Sequence, residues 1–250
     1  MEVVNFYGIA IASDKILAFL KQKMTLRDIC CRIVYQEIVE QAATSRNIAV
    51  TADEINLAAE EVRRIRRLEK ASDTLAWLEE ELSSVDVWEE AIRSQLLAKK
   101  LAQVLFTSEV ESYFNQNRVD FDKFILYQLV VPYEKLAQEL FYQIEEEEIS
   151  FYHAAHLYDI DEQRRYLCGY EGEVRRWDYP ADMAAAIFKT PINVGELISP
   201  IRSEQGYHLF KIEEYLPPHL TPEVSQEIVD RLFEQWLANE FNYKIHSDRS

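Results

Sequence analysis

All seven prolines of this chain stand at Pro132 or later, and four of its five glycines (Gly169, Gly172, Gly195 and Gly206) fall between 169 and 206. In a helix interior glycine costs about 1 kcal/mol and proline about 3 kcal/mol relative to alanine. A first half nearly free of both predicts a helical unit, and the later cluster of breakers predicts a turn-rich α+β unit behind it.

The helices can be read singly. In TLRDICCRIVYQEIVEQAA (25–43), Leu26, Ile29, Cys30, Ile33, Val34 and Ile38 recur at the i, i+3, i+4, i+7 spacing of a buried stripe. Thr51 and Glu54 are spaced as a capping box, in which each satisfies a free backbone N–H at the start of the next helix. That helix carries Arg63, Arg64, Arg66 and Arg67, which read as a solvated face with ion pairs to nearby glutamates rather than an anion site. DTLAWLEEEL and SVDVWEEAIRSQLLAKKLAQVLF give two more helices, and SEVESYFNQN starts another with Ser108 and Glu111 in capping positions. The first half is then a bundle of roughly five helices.

Near the C-terminus, TPEVSQEIVDRLFEQWLANEF (221–241) reads as a helix with Thr221 as N-cap and Pro222 at the first helical position. Its face of Val224, Ile228, Leu232, Phe233, Trp236, Leu237 and Phe241 is too large to leave in water. The economical arrangement returns it to the helical bundle and makes the middle of the chain an insertion. Residues 1–122 with 216–246 then form the helical domain, and 123–215 the inserted one.

The insertion opens with FILYQLVV (124–131), a central-strand pattern, followed by two helices. CGYEGEV (168–174) reads as a glycine-bearing loop, PADMAAAIFK (180–189) as a third helix, and GELISPIRSEQGYHLFKI as a closing hairpin. The order expected is βαααββ.

Charge narrows the partners. With 27 basic and 44 acidic residues the formal charge is −17, which repels nucleic-acid phosphates and anionic lipid. No apolar run approaches the ~20 residues that span a bilayer, so membrane insertion is not expected. MEVVNFYGIAIASDKILAF lacks a basic n-region and reads as a short strand and turn leading into a helix, which places the protein in the cytoplasm. Cys30, Cys31 and Cys168 show no metal-binding spacing; Cys30 and Cys31 read as small buried hydrophobes and Cys168 as a lone stray thiol. His153 and His156 lie three apart near Asp159 and Asp161, a spacing common by chance, so neither a metal nor a cofactor is expected.

The stretch MAAAIFKTPINVGELISPIRSEQGYHLFKIEE (183–214) resembles the C-terminal third of parvulin-type peptidyl-prolyl isomerases, with its helix ending A-x-F, then V-G-E-[IL]-S-x-P-[IV], then G-[YW]-H-[IL]. CGYEGEV sits where that family has G-G-D-L-G, and YQLVV where it has the strand H-I-L-V. The stretches VVNFYGIAI, RNIAVTADEI and SQLLAKKLAQVLF are similar to the helical chaperone domain of SurA-type proteins. The likeness extends to a cyanobacterial parvulin-like subgroup. It implies an α+β fold: a discontinuous all-α helical bundle plus an inserted parvulin-type α/β domain with a small antiparallel sheet.

The resemblance also implies a site. His208 matches the histidine of G-Y-H-L, Asp161 the Asp or Cys facing the isomerising carbonyl, and Gln128 the first-strand histidine of H-I-L-V. Met183 and Tyr179 fall at positions lining the proline slot, Phe188 at the phenylalanine of the same helix, and Ser203 at a small hydroxyl residue near the pocket. His208 reads equally as a satisfied core histidine, and Met183 and Phe188 as ordinary core.

Glutamine hydrogen-bonds but cannot shuttle a proton as imidazole does, so Gln128 predicts weak catalysis. Cys168 and Tyr170 replace the first glycine and the aspartate of G-G-D-L-G. The function expected is a peptidyl-prolyl cis/trans isomerase-like protein that binds extended or unfolded polypeptide. The alternative is an inactive escort or adaptor for a secretion or peptide-maturation system. A domain-swapped dimer through the C-terminal helix is among the arrangements the sequence allows.

Overall fold

The computed structural model describes residues 3–189, 191 and 193–247, so Thr190 and Ile192 of the parvulin-like stretch lie outside the described residues. In chain order it contains β1 (Val3–Phe6), β2 (Ile9–Ala12), α1 (Ser13–Gln22), α2 (Leu26–Ser45), α3 (Ala52–Arg66), α4 (Ala71–Glu80), α5 (Val85–Phe106) and α6 (Val110–Gln116). Next come β3 (Lys123–Val131), α7 (Glu134–Glu145), α8 (Phe151–Tyr158), α9 (Glu162–Tyr166), β4 (Tyr170–Arg175), α10 (Ala181–Ile187), β5 (Leu197–Arg202), β6 (Tyr207–Leu216) and α11 (Pro222–Ser247). The fold class is α+β, and the chain divides into two compact units: Met1–Val110 with Ser225–Ser250, and Glu111–Val224.

In the helical unit, β1 and β2 form an antiparallel hairpin, Val3 opposite Ala12, that leads directly into α1. The capping box is present: Thr51 Oγ1 accepts from the Glu54 N–H at 3.3 Å, and a Glu54 carboxylate oxygen accepts from the Thr51 N–H at 2.8 Å. Lys100 on α5 donates to the same carboxylate at 2.7 Å and so ties α3 to α5. Most of the Arg63–Arg67 segment is surface: Arg64, Arg66 and Arg67 are exposed while Arg63 is half-buried, Arg64 pairs with Glu61, and Arg66 lies over the Trp77 ring at 4.5 Å. The core joins Val39 and Ala43 of α2 to Leu97 and Leu101 of α5, and α11 adds Phe233, Trp236 and Leu237. Thr221 caps α11, accepting from the Val224 N–H at 3.3 Å.

Three expectations for this unit are corrected. Of the stripe on α2 only Ile38 is buried, while Ile29 and Ile33 are 40% and 53% exposed. Periodicity shows which side chains share a face but not whether anything covers it, and α1 buries no residue of its own. The paired cysteines are not core either: Cys30 is exposed and Cys31 is half-buried. Ser108 lies within a short 3₁₀ turn, Thr107–Glu109, so α6 starts after it rather than being capped by it.

The second unit is built on an antiparallel sheet of order β4-β3-β6-β5. Its centre is the β3–β6 pair, with Gln128 opposite Phe210 and Val130 opposite His208. Period-2 alternation sends Phe124, Leu126, Phe210 and Ile212 to one face, where Met183 and Ile187 of α10 cover them together with Phe188. Leu129, Val131 and Leu209 take the other face, beneath Ala137 and Leu140 of α7 and Phe151, Ala154 and Ala155 of α8. Each fully buried large side chain contributes roughly 1.5–3 kcal/mol, so the two cores hold the sheet from both sides.

Here too the expected order is corrected, because residues 170–175 form an edge strand and not a loop, with Phe124 opposite Val174 and Leu126 opposite Gly172. Tyr170, Glu171 and Glu173 face solvent, which hides the alternation, and of this strand's side chains only Val174 is buried. Gly169 still marks a special backbone position. Its φ is +87°, and a Cβ there would meet the Gln128 carbonyl oxygen at 2.7 Å.

Candidate functional site

Cross-strand pairing places Gln128 and Phe210 opposite each other, and His208 two residues along on the same face, so the Gln128 side chain reaches His208 diagonally. Gln128 Nε2 lies 2.7 Å from His208 Nδ1, and Ser203 Oγ lies 2.6 Å from His208 Nε2. Both ring nitrogens are therefore engaged, although the histidine is buried. An amide nitrogen can only donate, so in this orientation Nδ1 accepts and the ring proton sits on Nε2, donated to Ser203 Oγ. That hydroxyl oxygen also accepts from the Gln205 N–H at 3.0 Å. The tight turn that brings Ser203 under the ring depends on Gly206, whose φ is +144° and where a Cβ would meet the Val131 carbonyl oxygen at 2.5 Å.

Burial lowers the His208 pKa from its ordinary value, and the Arg164 cation lowers it further; the Asp159 carboxylate works in the opposite direction without prevailing. At neutral pH the imidazole is neutral. Protonation would add an N–H at Nδ1, facing the donor nitrogen of the Gln128 amide, so this arrangement disfavours proton storage.

The apolar side of the site follows from α10 and the turn before it. The Tyr179 ring meets Phe210 edge-on at 5.6 Å, and Phe210 stacks on the His208 ring at 5.9 Å. Burial pushes the Tyr179 hydroxyl well above the usual phenol value, with Glu171 and Asp178 adding to the effect. Met183 is buried in the same cluster, next to the half-buried Tyr179 and Ile201. Phe188 is placed deeper, its ring 4.7 Å from Phe124, so the structure gives it core packing.

Asp161 is the N-cap of α9: its Oδ1 accepts from the Arg164 N–H at 2.8 Å. The acid most enclosed near His208 is instead Asp159, whose side chain is fully buried and pairs with Arg164 at 3.1 Å. Arg164 also reaches Glu171 on β4 at 2.7 Å. Sequence reasoning passed over Asp159, Arg164 and Glu171, since no spacing rule joins them. The available signal was an Asp two residues before the expected acid, with an arginine one turn further on. Among the described residues no group of three or more His, Cys, Asp and Glu side chains is placed to hold a metal ion, and His156 Nδ1 meets the Arg165 carbonyl at 3.0 Å.

Residues 131–214 match the family model described as "Rotamase", the PPIC-type PPIase domain. A curated relative, the foldase protein PrsA of Caldanaerobacter subterraneus subsp. tengcongensis, is 24% identical over 200 residues, covering 80% of this chain and 58% of that protein. The chain thus spans under two thirds of the length of that relative. Among solved structures, the peptidylprolyl isomerase PrsA of Bacillus cereus aligns at a TM-score of 0.51 and 17% identity, over 96% of this chain and 90% of that one. A SurA-like chaperone of Campylobacter jejuni aligns at a TM-score of 0.37 and 16% identity, over 97% and 94% of the two chains. The parvulin resemblance read in the sequence holds for the PPIC-type domain that the family model matches, and the α+β fold of the chain is similar to that of the Bacillus cereus PrsA structure.

Proposed function

We propose that this PPIC-type domain is a peptidyl-prolyl cis/trans isomerase of low catalytic efficiency acting on extended polypeptide, with the helical unit holding the client. The observation that carries the reading is the His208 ring, held by Gln128 and Ser203 beside the Tyr179–Met183–Phe210 cluster.

Rotation about a peptide bond faces a barrier of about 18–20 kcal/mol because the amide is conjugated. Lowering it needs no nucleophile. It needs an apolar surface for the proline ring and polar groups that favour the twisted amide over the planar one. Tyr179 and Met183 supply the first. His208, with Ser203 behind it, and Asp161 supply the second. Gln128 fixes the ring in one tautomer but removes the second titratable partner, which supports slow rather than fast turnover.

The alternative, a binding-only escort, draws support from the helical unit, where Ile29 and Ile33 on α2 and Leu57 and Ile65 on α3 remain exposed. Such side chains suit loose apolar contact with an unfolded segment. The negative surface favours neutral or basic clients.

Refolding of a proline-limited model protein with substoichiometric amounts of this chain tests the reading. Uncatalysed isomerisation takes tens of seconds, so acceleration is easily read. A faster slow phase that is lost in Met183→Ala supports the isomerase. An unchanged slow phase with aggregation still suppressed assigns the chain to the escort role.

A further inference from the structure

A fully buried carboxylate is unfavourable unless it is both paired and hydrogen-bonded. Asp159 meets both conditions with partners from several segments. Its Oδ2 accepts from the Val130 N–H of β3 at 3.0 Å, and its Oδ1 from the Asp161 N–H at 2.8 Å. Arg164 Nη1 donates to both oxygens, at 3.1 and 3.3 Å. The backbone adds its own tie, the Ile160 N–H donating to the Val130 carbonyl at 3.0 Å. Arg164 then extends to Glu171 on the edge strand β4.

A neutral asparagine at 159 is able to accept from a nearby backbone N–H in a turn of this kind. What requires a charge is the guanidinium. The carboxylate therefore serves Arg164, and the pair is held at Val130, the residue opposite His208 across the β3–β6 ladder.

We propose that Asp159 is the positioning residue of this site: it pins the Asp161 turn to strand β3 and anchors the Arg164 guanidinium within electrostatic reach of His208. The proposal rests on the isomerase reading for what the site does, but the placement it asserts is measurable without turnover. The groups around His208 are Gln128 from β3, Ser203 from the β5–β6 turn, Phe210 from its own strand, and Asp159 and Arg164 from the segment after α8. Among these described groups, Asp159 and Arg164 carry charge, with opposite signs. Loss of the Asp159 charge leaves Arg164 with Glu171 as its remaining anionic partner, so less negative charge faces the cation near His208.

The experiment is an NMR titration of the His208 ring in the full chain and its variants. Asp159→Asn is expected to move the His208 midpoint to lower pH, and Asp159→Asn with Arg164→Gln to bring it back toward the wild-type value. Turnover, read on the same samples, is expected to fall about tenfold in both variants, because asparagine keeps only one of the two oxygens that accept from the Val130 and Asp161 N–H groups. A midpoint that does not move in Asp159→Asn, or is not restored in the double variant, overturns the proposal. If Asp159→Asn does not fold, Arg164→Gln alone reads the contact from the other side, with an upward shift expected and no shift overturning it. Wild-type protein without turnover overturns the isomerase reading, while the titration still decides the placement.

Discussion

Gln128 Nε2 approaches His208 Nδ1 to 2.7 Å across the two central strands, so an amide stands where the resemblance implies a second imidazole. The pair is buried, and its geometry sets one ring tautomer. Gln128→His is expected to raise kcat/KM for proline isomerisation by about 100-fold, the low end of what a positioned acid–base group contributes. Gln128→Leu is expected to destabilise the fold by about 1–3 kcal/mol, because a buried ring nitrogen loses its partner. Refolding assays and urea unfolding read the two effects separately.

A pH effect follows from His208. Its folded pKa lies below the ordinary value of about 6.5, mainly through burial. Between the two values the unfolded chain binds the extra proton, so stability rises with pH there. The contribution is fully present above about pH 6.5 and is lost as pH falls toward the folded pKa. The urea midpoint of wild-type protein should drop between pH 7.5 and 5.5, and His208→Phe should flatten that part of the curve.

Gly206→Ala tests the turn beneath the site. A Cβ there is 2.5 Å from a backbone oxygen, in a conformation that side chains rarely adopt. The variant should lose roughly 1–3 kcal/mol and should break the Ser203–His208 contact, seen as a changed His208 ring shift.

Trp236→Ala tests the place of α11 in the helical unit. The indole stacks on Phe233 at 5.5 Å and packs against the α2–α5 core. Core Trp→Ala changes cost about 3–5 kcal/mol, and a half-buried tryptophan should give about the lower figure. Thermal unfolding followed by tryptophan fluorescence and circular dichroism checks it; an unchanged melting temperature would remove α11 from the core.

Much of the fold was legible because its signals are local. The Thr51–Glu54 box, the Thr221–Pro222 start and the alternation of FILYQLVV each follow from backbone chemistry within a few residues. Strand β4 was not, since an edge strand with Glu171 and Glu173 in water loses the apolar half of its pattern. The burial of α2 was misread for a different reason. Its apolar face is real, but covering it is a tertiary matter that Ile29 and Ile33 do not encode. At the site, His208, Gln128 and Ser203 were found through a motif. Asp159, Arg164 and Glu171 meet only after strand, turn and edge strand have packed, and their spacing carries no signature.

The β3–β6 pair joins residues about eighty positions apart, and α11 closes on helices formed more than a hundred residues earlier. As the chain leaves the ribosome, β3 waits for β6, while Val39, Ala43, Leu97 and Leu101 wait for Phe233, Trp236 and Leu237. Non-local closures of this kind are slow, and the half-made cores stay open to aggregation meanwhile. A protein read here as a helper of other chains must, during its own synthesis, be among the chains most in need of one.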